Sequence, residues 1–147
     1  VLFSTLLISA CSTAKKANVD TANDVYTGTD TVEFLAKGVP DRIFFATNKS
    51  KLTTASRDTL RKQATWMRKN KDVTVTVEGH ADERGTREYN LALGERRANA
   101  AKDYLMTYGV SGKRISVISY GKERPVNPAS SPLAWSQNRR SVTVKAN

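Results

Sequence analysis

The sequence predicts an α+β domain, with four short strands in one sheet and two long helices covering one of its faces. Three observations point there. Apolar residues alternate with period two in VTVTVEGH (73–80), RISVISYG (114–121) and RRSVTVK (139–145), as they do in strands with one buried face. Two intervening stretches, 54–70 and 87–108, instead carry small and apolar residues at spacings of three and four. Strands and helices also alternate along the chain, which predicts strand-helix-strand units with parallel pairing and right-handed crossovers.

Taken in order, the chain opens with VLFSTLLISAC, an apolar run that is too short for a membrane span, which needs about 20 residues. Residues 1–10 read as the h-region of a signal peptide shortened at its start. The only cysteine, Cys11, cannot form an internal disulfide. Ile8-Ser9-Ala10-Cys11 resembles the bacterial lipobox, in which the cysteine becomes the lipidated first residue of the mature chain. Residues 11–37 then hold few large apolar side chains and read as a lipidated N-terminus followed by a flexible tether. The folded domain is expected over 38–147.

Within it, RIFFA (42–46) is a short apolar strand followed by the turn-like NKS (48–50). Thr53 or Thr54 caps a helix running to Asn70, with Leu60, Ala64 and Met67 on its inner stripe. The strand 73–80 comes next. A second helix runs from about Arg87 to Tyr108 and stops at Gly109. The strand 114–121, a proline-containing loop and the strand 139–145 complete the domain.

The chain's 147 residues suit one domain and a tail. Its 24 Lys+Arg against 14 Asp+Glu give a net charge of +10, which suits a polyanionic partner without selecting one. Nucleic acid fits the charge but not an exported lipoprotein. Metal chemistry fails on inventory, because one cysteine and one histidine cannot build a zinc site. Catalysis lacks support as well: there is no Gly-x-Ser-x-Gly elbow, and arginines beside Asp82 and Glu83 keep both carboxylates ionised. His80 reads as a hydrogen-bonded residue at a strand end.

The second helix poses a sharper problem. Its apolar stripe, Leu93, Ala100, Ala101, Tyr104 and Tyr108, has Arg97 inside it and Arg96 at its edge. An inward-pointing arginine needs a partner. Asp82, in the preceding loop, can supply one. The two readings open at this point are a plain ion pair within the fold and a clamp for a zwitterion, in which Arg97 takes a carboxylate and Asp82 an ammonium group.

GHADERGTREYNLALGERRANA (79–100), SYGKERP (119–125) and NRRSV (138–142) closely resemble the OmpA-like peptidoglycan-binding domain, over about residues 39–145. The resemblance implies a β-α-β-α-β-β sandwich with a mixed four-stranded sheet and helices on one face. It implies binding of peptidoglycan, without catalysis or cofactor, through the free end of diaminopimelate in the peptide stem. Residue by residue it assigns Asp82 and Arg97 to the ligand, Asn90 and Leu93 to the pocket, and Asn138, Arg139 and Arg140 to the Asn-Arg-Arg motif, with Arg139 also expected among the ligand contacts. Glycines 79 and 85 are expected to let backbone approach the ligand. The chain departs from many relatives at Ala46, where they carry aspartate, so Thr47 or Asn48 is expected to supply that polar contact. SSPLAWSQ (130–137) replaces an often acidic segment. Lipid-anchored members of the family bind TolB and TolA in a cell-division system of the envelope, and Ser12 after Cys11 favours the outer membrane.

Overall fold

The computed structural model describes residues 19–20 and 24–147. The expected h-region, the lipobox and Cys11 lie outside the described residues. The elements are β1 (Val19–Asp20), β2 (Val25–Tyr26), β3 (Phe34–Ala36), β4 (Val39–Pro40), β5 (Arg42–Phe44), α1 (Thr54–Lys69), β6 (Val75–His80), α2 (Arg87–Thr107), a 3-10 turn (Gly112–Arg114), β7 (Ile115–Gly121), α3 (Pro132–Asn138) and β8 (Arg140–Lys145). The α+β reading holds, with a mixed four-stranded sheet in the order β5-β8-β6-β7.

Pairing differs from the sequence expectation in one respect. β6 and β7 are parallel neighbours joined through α2, as a strand-helix-strand unit requires. β5 and β6 are not neighbours, because β8 lies between them and runs antiparallel to both. The last strand of the chain therefore occupies the centre of the sheet.

The long helices begin and end where their sequence signals place them. Thr53 caps α1, accepting from the Ser56 amide, and Thr86 caps α2, accepting from the Tyr89 amide. Gly109, with φ +90°, follows the end of α2 in the left-handed conformation that glycine tolerates. Leu60, Ala64 and Met67 of α1 and Ala98, Ala101 and Leu105 of α2 form one core with Ile43, Phe45, Val75, Val77 and Ile115 of the sheet.

The buried face of α2 is rotated from the apolar stripe read in the sequence. It carries Asn90, Leu93, Gly94, Arg97, Ala98, Ala101 and Leu105, whereas Tyr108 is 38% exposed. Gly94 explains the rotation. A Cβ built on Gly79 of β6 would lie 1.6 Å from the Gly94 carbonyl oxygen, so helix and strand meet backbone to backbone. Gly79 therefore serves helix packing, not the ligand approach expected of it.

Two segments read as irregular are structured. Residues 24–36 were expected in the tether, yet Val25, Tyr26 and Leu35 are buried. Val25 and Tyr26 pack on Phe44 and Leu133, and the Tyr26 and Phe44 rings meet edge to face at 4.8 Å. Two-residue strands carry too few apolar positions to show a period. The loop before the last strand contains α3, whose Ser131 cap and Pro132 at the first turn are ordinary start signals on a helix of only seven residues.

Gly79→Ala is expected to lower the thermal midpoint by about 4–12 °C, since overpacking against backbone costs about 1–3 kcal/mol and each is worth about 4 °C in a domain of this size. A melting curve unchanged from wild type would show that α2 tolerates displacement from β6.

Candidate functional site

The close approach of α2 carries Arg97 beneath the loop that follows β5. Arg97 is fully buried. Its Nε donates to the Lys49 carbonyl at 2.9 Å, Nη1 to the His80 carbonyl at 2.8 Å and Nη2 to the Ala46 carbonyl at 3.0 Å. Among the described residues no carboxylate lies within ion-pair distance of it. Of its five N–H donors those three bonds use three, leaving one on each terminal nitrogen. Burial, and then the neighbouring Arg139 cation, lower the guanidinium to about 9, which leaves it charged at neutral pH.

The ion pair between Asp82 and Arg97 that sequence left open is therefore absent. Asp82 has other partners. Its Oδ1 accepts from the Arg84 amide at 3.0 Å and from Arg84 Nε at 3.1 Å, and its Oδ2 from Arg84 Nη2 at 2.8 Å and Arg139 Nη1 at 3.2 Å. Burial opposes ionisation of Asp82, but the bonds from Arg84 and Arg139 outweigh it and hold the carboxyl below its ordinary range.

Arg139 supports the site from behind. It is buried, donating through Nε to the Phe45 carbonyl at 3.0 Å and through Nη2 to the Asp24 carbonyl at 2.7 Å, with the Asp24 carboxylate 3.3 Å away. It does not line the cleft.

The cleft itself measures about 240 Å³ and is lined by Thr47, Asn48, Asp82, Gly85, Asn90, Leu93 and Arg97, all expected from the sequence, together with Arg84 and Tyr89. Asn90 is buried and spends its amide on the Arg84 and Thr86 carbonyls at 2.9 and 3.0 Å, so it shapes the loop that presents Asp82 and Arg84. Gly85, at φ +96°, turns that loop and stands in the wall. Sequence reasoning missed Tyr89 and, with more consequence, Arg84. Its guanidinium lies 4.3 Å over the Trp135 ring and also donates to Thr47 Oγ1 at 3.2 Å. The signal lay in SSPLAWSQ, where a tryptophan is a ready platform for a cation.

His80 is buried at the end of β6, with Nε2 3.1 Å from the Glu78 carboxylate and its ring stacked on Tyr120. That is the structural role read from the sequence. Burial, then the cations Arg140, Arg42 and Arg124, push it down to about 3, so it is neutral at physiological pH. Among the described residues no group of three or more His, Cys, Asp and Glu side chains is placed to hold a metal. No helix among them is long and apolar enough to cross a membrane.

The chain belongs to the OmpA family, whose sequence profile matches residues 44–139. Its relatives include two proteins named peptidoglycan-associated lipoprotein. The one from Mesorhizobium japonicum is 55% identical over 106 residues, covering 72% of this chain and 63% of that protein. The one from Brucella melitensis is 45% identical over 148 residues, covering 97% of this chain and 88% of that protein. The crystal structure of the peptidoglycan-associated lipoprotein from Burkholderia pseudomallei superposes with a TM-score of 0.70 at 32% identity, over 71% of this chain and 89% of that one. The C-terminal domain of Helicobacter pylori MotB shares the fold, with a TM-score of 0.68 at 23% identity over 73% of this chain and 84% of that one. Family membership supports a binding protein rather than an enzyme.

The pKa directions fix how stability responds to acid. His80 is depressed in the fold, so between its folded value near 3 and its ordinary value the unfolded chain binds the extra proton. Its contribution is complete above about pH 6.5 and declines as pH falls, by at most about 1.4 kcal/mol per pH unit. Asp82, also depressed, adds a loss that begins below about pH 4. Glu78, raised chiefly by burial, opposes both. Melting between pH 7 and 4.5 is expected to show a falling midpoint whose slope flattens in His80→Gln. Parallel slopes in the two proteins would remove His80 as the cause.

Proposed function

We propose that this cleft binds the free end of diaminopimelate in peptidoglycan peptide stems, and that the chain is a lipoprotein, acylated at Cys11, that ties the outer membrane to the cell wall. TolB and TolA are the proposed protein partners, on the family resemblance. The single observation that carries the reading is Arg97, a buried cation at the cleft wall whose partners within the chain are neutral carbonyls. A ligand carboxylate meeting the two remaining N–H donors would complete the charge balance at a cost of little reorganisation. The relatives named for peptidoglycan association support it, and so does the lipobox.

The ammonium end of the ligand raises a competition. A carboxylate offers about four acceptor sites, and Asp82 spends four on Arg84 and Arg139. Arg84, with a side chain 41% exposed, is the partner that can leave, whereas Arg139 is locked in the interior at 2%. In this reading the Arg84 guanidinium occupies the position that the ligand's ammonium takes.

Arg97→Lys keeps the charge but removes the planar fork. Losing carbonyl bonds worth about 1 kcal/mol each is expected to lower the midpoint by several degrees. Below that midpoint, retention of the folded variant on purified sacculi is expected to fall about tenfold or more. Undiminished retention would show that bulk positive charge, which the variant preserves, does the binding.

Arg84→Ala tests the competition. Arg84 is the half-exposed partner of a buried carboxylate, and removing its competition for Asp82 is expected to tighten diaminopimelate binding by about fivefold or more in calorimetry, about 1 kcal/mol or more. A weaker Kd would instead make Arg84 a ligand contact and sink the displacement.

A further inference from the structure

The cleft at Arg97 is small. Sites that enclose a whole small molecule run to about 300–1,000 Å³, so about 240 Å³ accommodates one end of a ligand and leaves the remainder outside. Where that remainder lies is constrained by the wall at Thr47. Thr47 also lines a second cleft, of about 510 Å³, whose other walls include Lys49, Lys51, Thr54 and Arg57.

The two clefts are joined mechanically as well as by proximity. Arg97 of the first holds the carbonyls of Ala46 and Lys49, and Ala46 and Lys49 line the second. The loop 46–49 is thus a shared partition whose position the buried guanidinium fixes. On the far side of it the charge is one-signed. Lys49 and Lys51 are exposed, and among the described residues no ion pair uses either of them or Arg57. Arg57 is held in place, with Nη1 on the Leu52 carbonyl at 3.0 Å and Nη2 on Thr54 Oγ1 at 3.2 Å. The one acid in the wall, Asp24, is engaged by Arg139 at 3.3 Å and by the Thr47 hydroxyl.

We propose that the second cleft binds a further carboxylate of the same peptide stem, with Lys49, Lys51 and Arg57 as its partners. The proposal rests on the diaminopimelate reading of the first cleft. One carboxylate of the stem qualifies chemically and is absent from free diaminopimelate: glutamate joined through its side chain keeps a free α-carboxylate. A ligand seated at both clefts gains a second charge contact without a second loss of translational freedom, which is how linked sites raise affinity.

Calorimetry on the full chain separates the cases, using free diaminopimelate, the tripeptide alanyl-γ-glutamyl-diaminopimelate, and that tripeptide amidated at either the glutamate α-carboxylate or the C-terminus. Wild type is expected to bind the tripeptide about tenfold more tightly than free diaminopimelate. In the double variant Lys49→Gln, Lys51→Gln, tripeptide affinity is expected to fall about fivefold while that for free diaminopimelate stays within about twofold. Both side chains are exposed, so the melting midpoint should stay near that of wild type. The glutamate amide should bind weakly and be insensitive to the lysine changes, while the C-terminal amide should keep the lysine sensitivity of the unmodified tripeptide. Equal losses for free diaminopimelate and tripeptide, no loss for either, or full lysine sensitivity of the glutamate amide would overturn the second subsite. Failure of wild type to bind free diaminopimelate would overturn the first cleft's reading instead.

Discussion

A guanidinium buried without a carboxylate is the constraint around which this domain is arranged. Burying an unpaired charge costs several kcal/mol unless dipoles replace its hydration, and here three carbonyl oxygens do so. Those carbonyls come from the loop after β5 and from the end of β6, so Arg97 can be satisfied only when α2, β6 and the loop have all assembled. The close contact of Gly79 with Gly94 makes that assembly possible by letting the helix axis settle on the strand. Packing and polar satisfaction thus select the same helix orientation, which is the agreement across levels expected of a well-specified fold.

Comparison of the two buried arginines sorts structure from function. Arg139 is as deeply buried as Arg97, but it has Asp82 at 3.2 Å and Asp24 at 3.3 Å, so its charge is balanced within the chain. It ties the N-terminal segment, the end of β5 and the loop carrying Asp82 into one unit. Arg97 has the same chemistry without the anion. That asymmetry has a cost in stability, and costs of this kind concentrate at sites kept for a ligand.

Much of this was legible in the sequence, for physical reasons that can be named. Strands 75–80, 115–121 and 140–145 alternate strongly, and the helices of 16 and 21 residues are long enough to display both period and caps. Arg97 could be singled out because a cation within an apolar stripe is locally inconsistent. Its partners could not be foreseen, since backbone carbonyls leave no mark in a sequence, and Asp82, in the loop before α2, was the natural but incorrect choice of ion-pair partner. The true face of α2 was hidden for a related reason: it holds Asn90, Gly94 and Arg97, which weaken any apolar period. β2 escaped notice because Tyr26 and Val25 are buried by contacts with Phe44 and Leu133, far away along the chain.

The net charge of +10 and the cleft act at different ranges, and this separates attraction from selection. Exposed charges are screened beyond about 8 Å at physiological salt, so the excess of lysine and arginine governs approach to an anionic polymer and gives no choice among its anions. Discrimination must come from groups that are desolvated and held at fixed positions. Arg97 meets both conditions, because three carbonyls fix its plane while burial removes competing water. Asp82 meets them as well, and the hydrogen bonds from Arg84 and Arg139 that lower its pKa favour its ionised form. Both groups are satisfied within the chain, Asp82 by Arg84 and Arg139 and Arg97 by carbonyls, so a ligand gains at either one only by offering a charge complement that improves on those partners. Net positive charge thus acts on anions in general and at long range, whereas the fixed Arg97 and Asp82 act only at contact and at set positions.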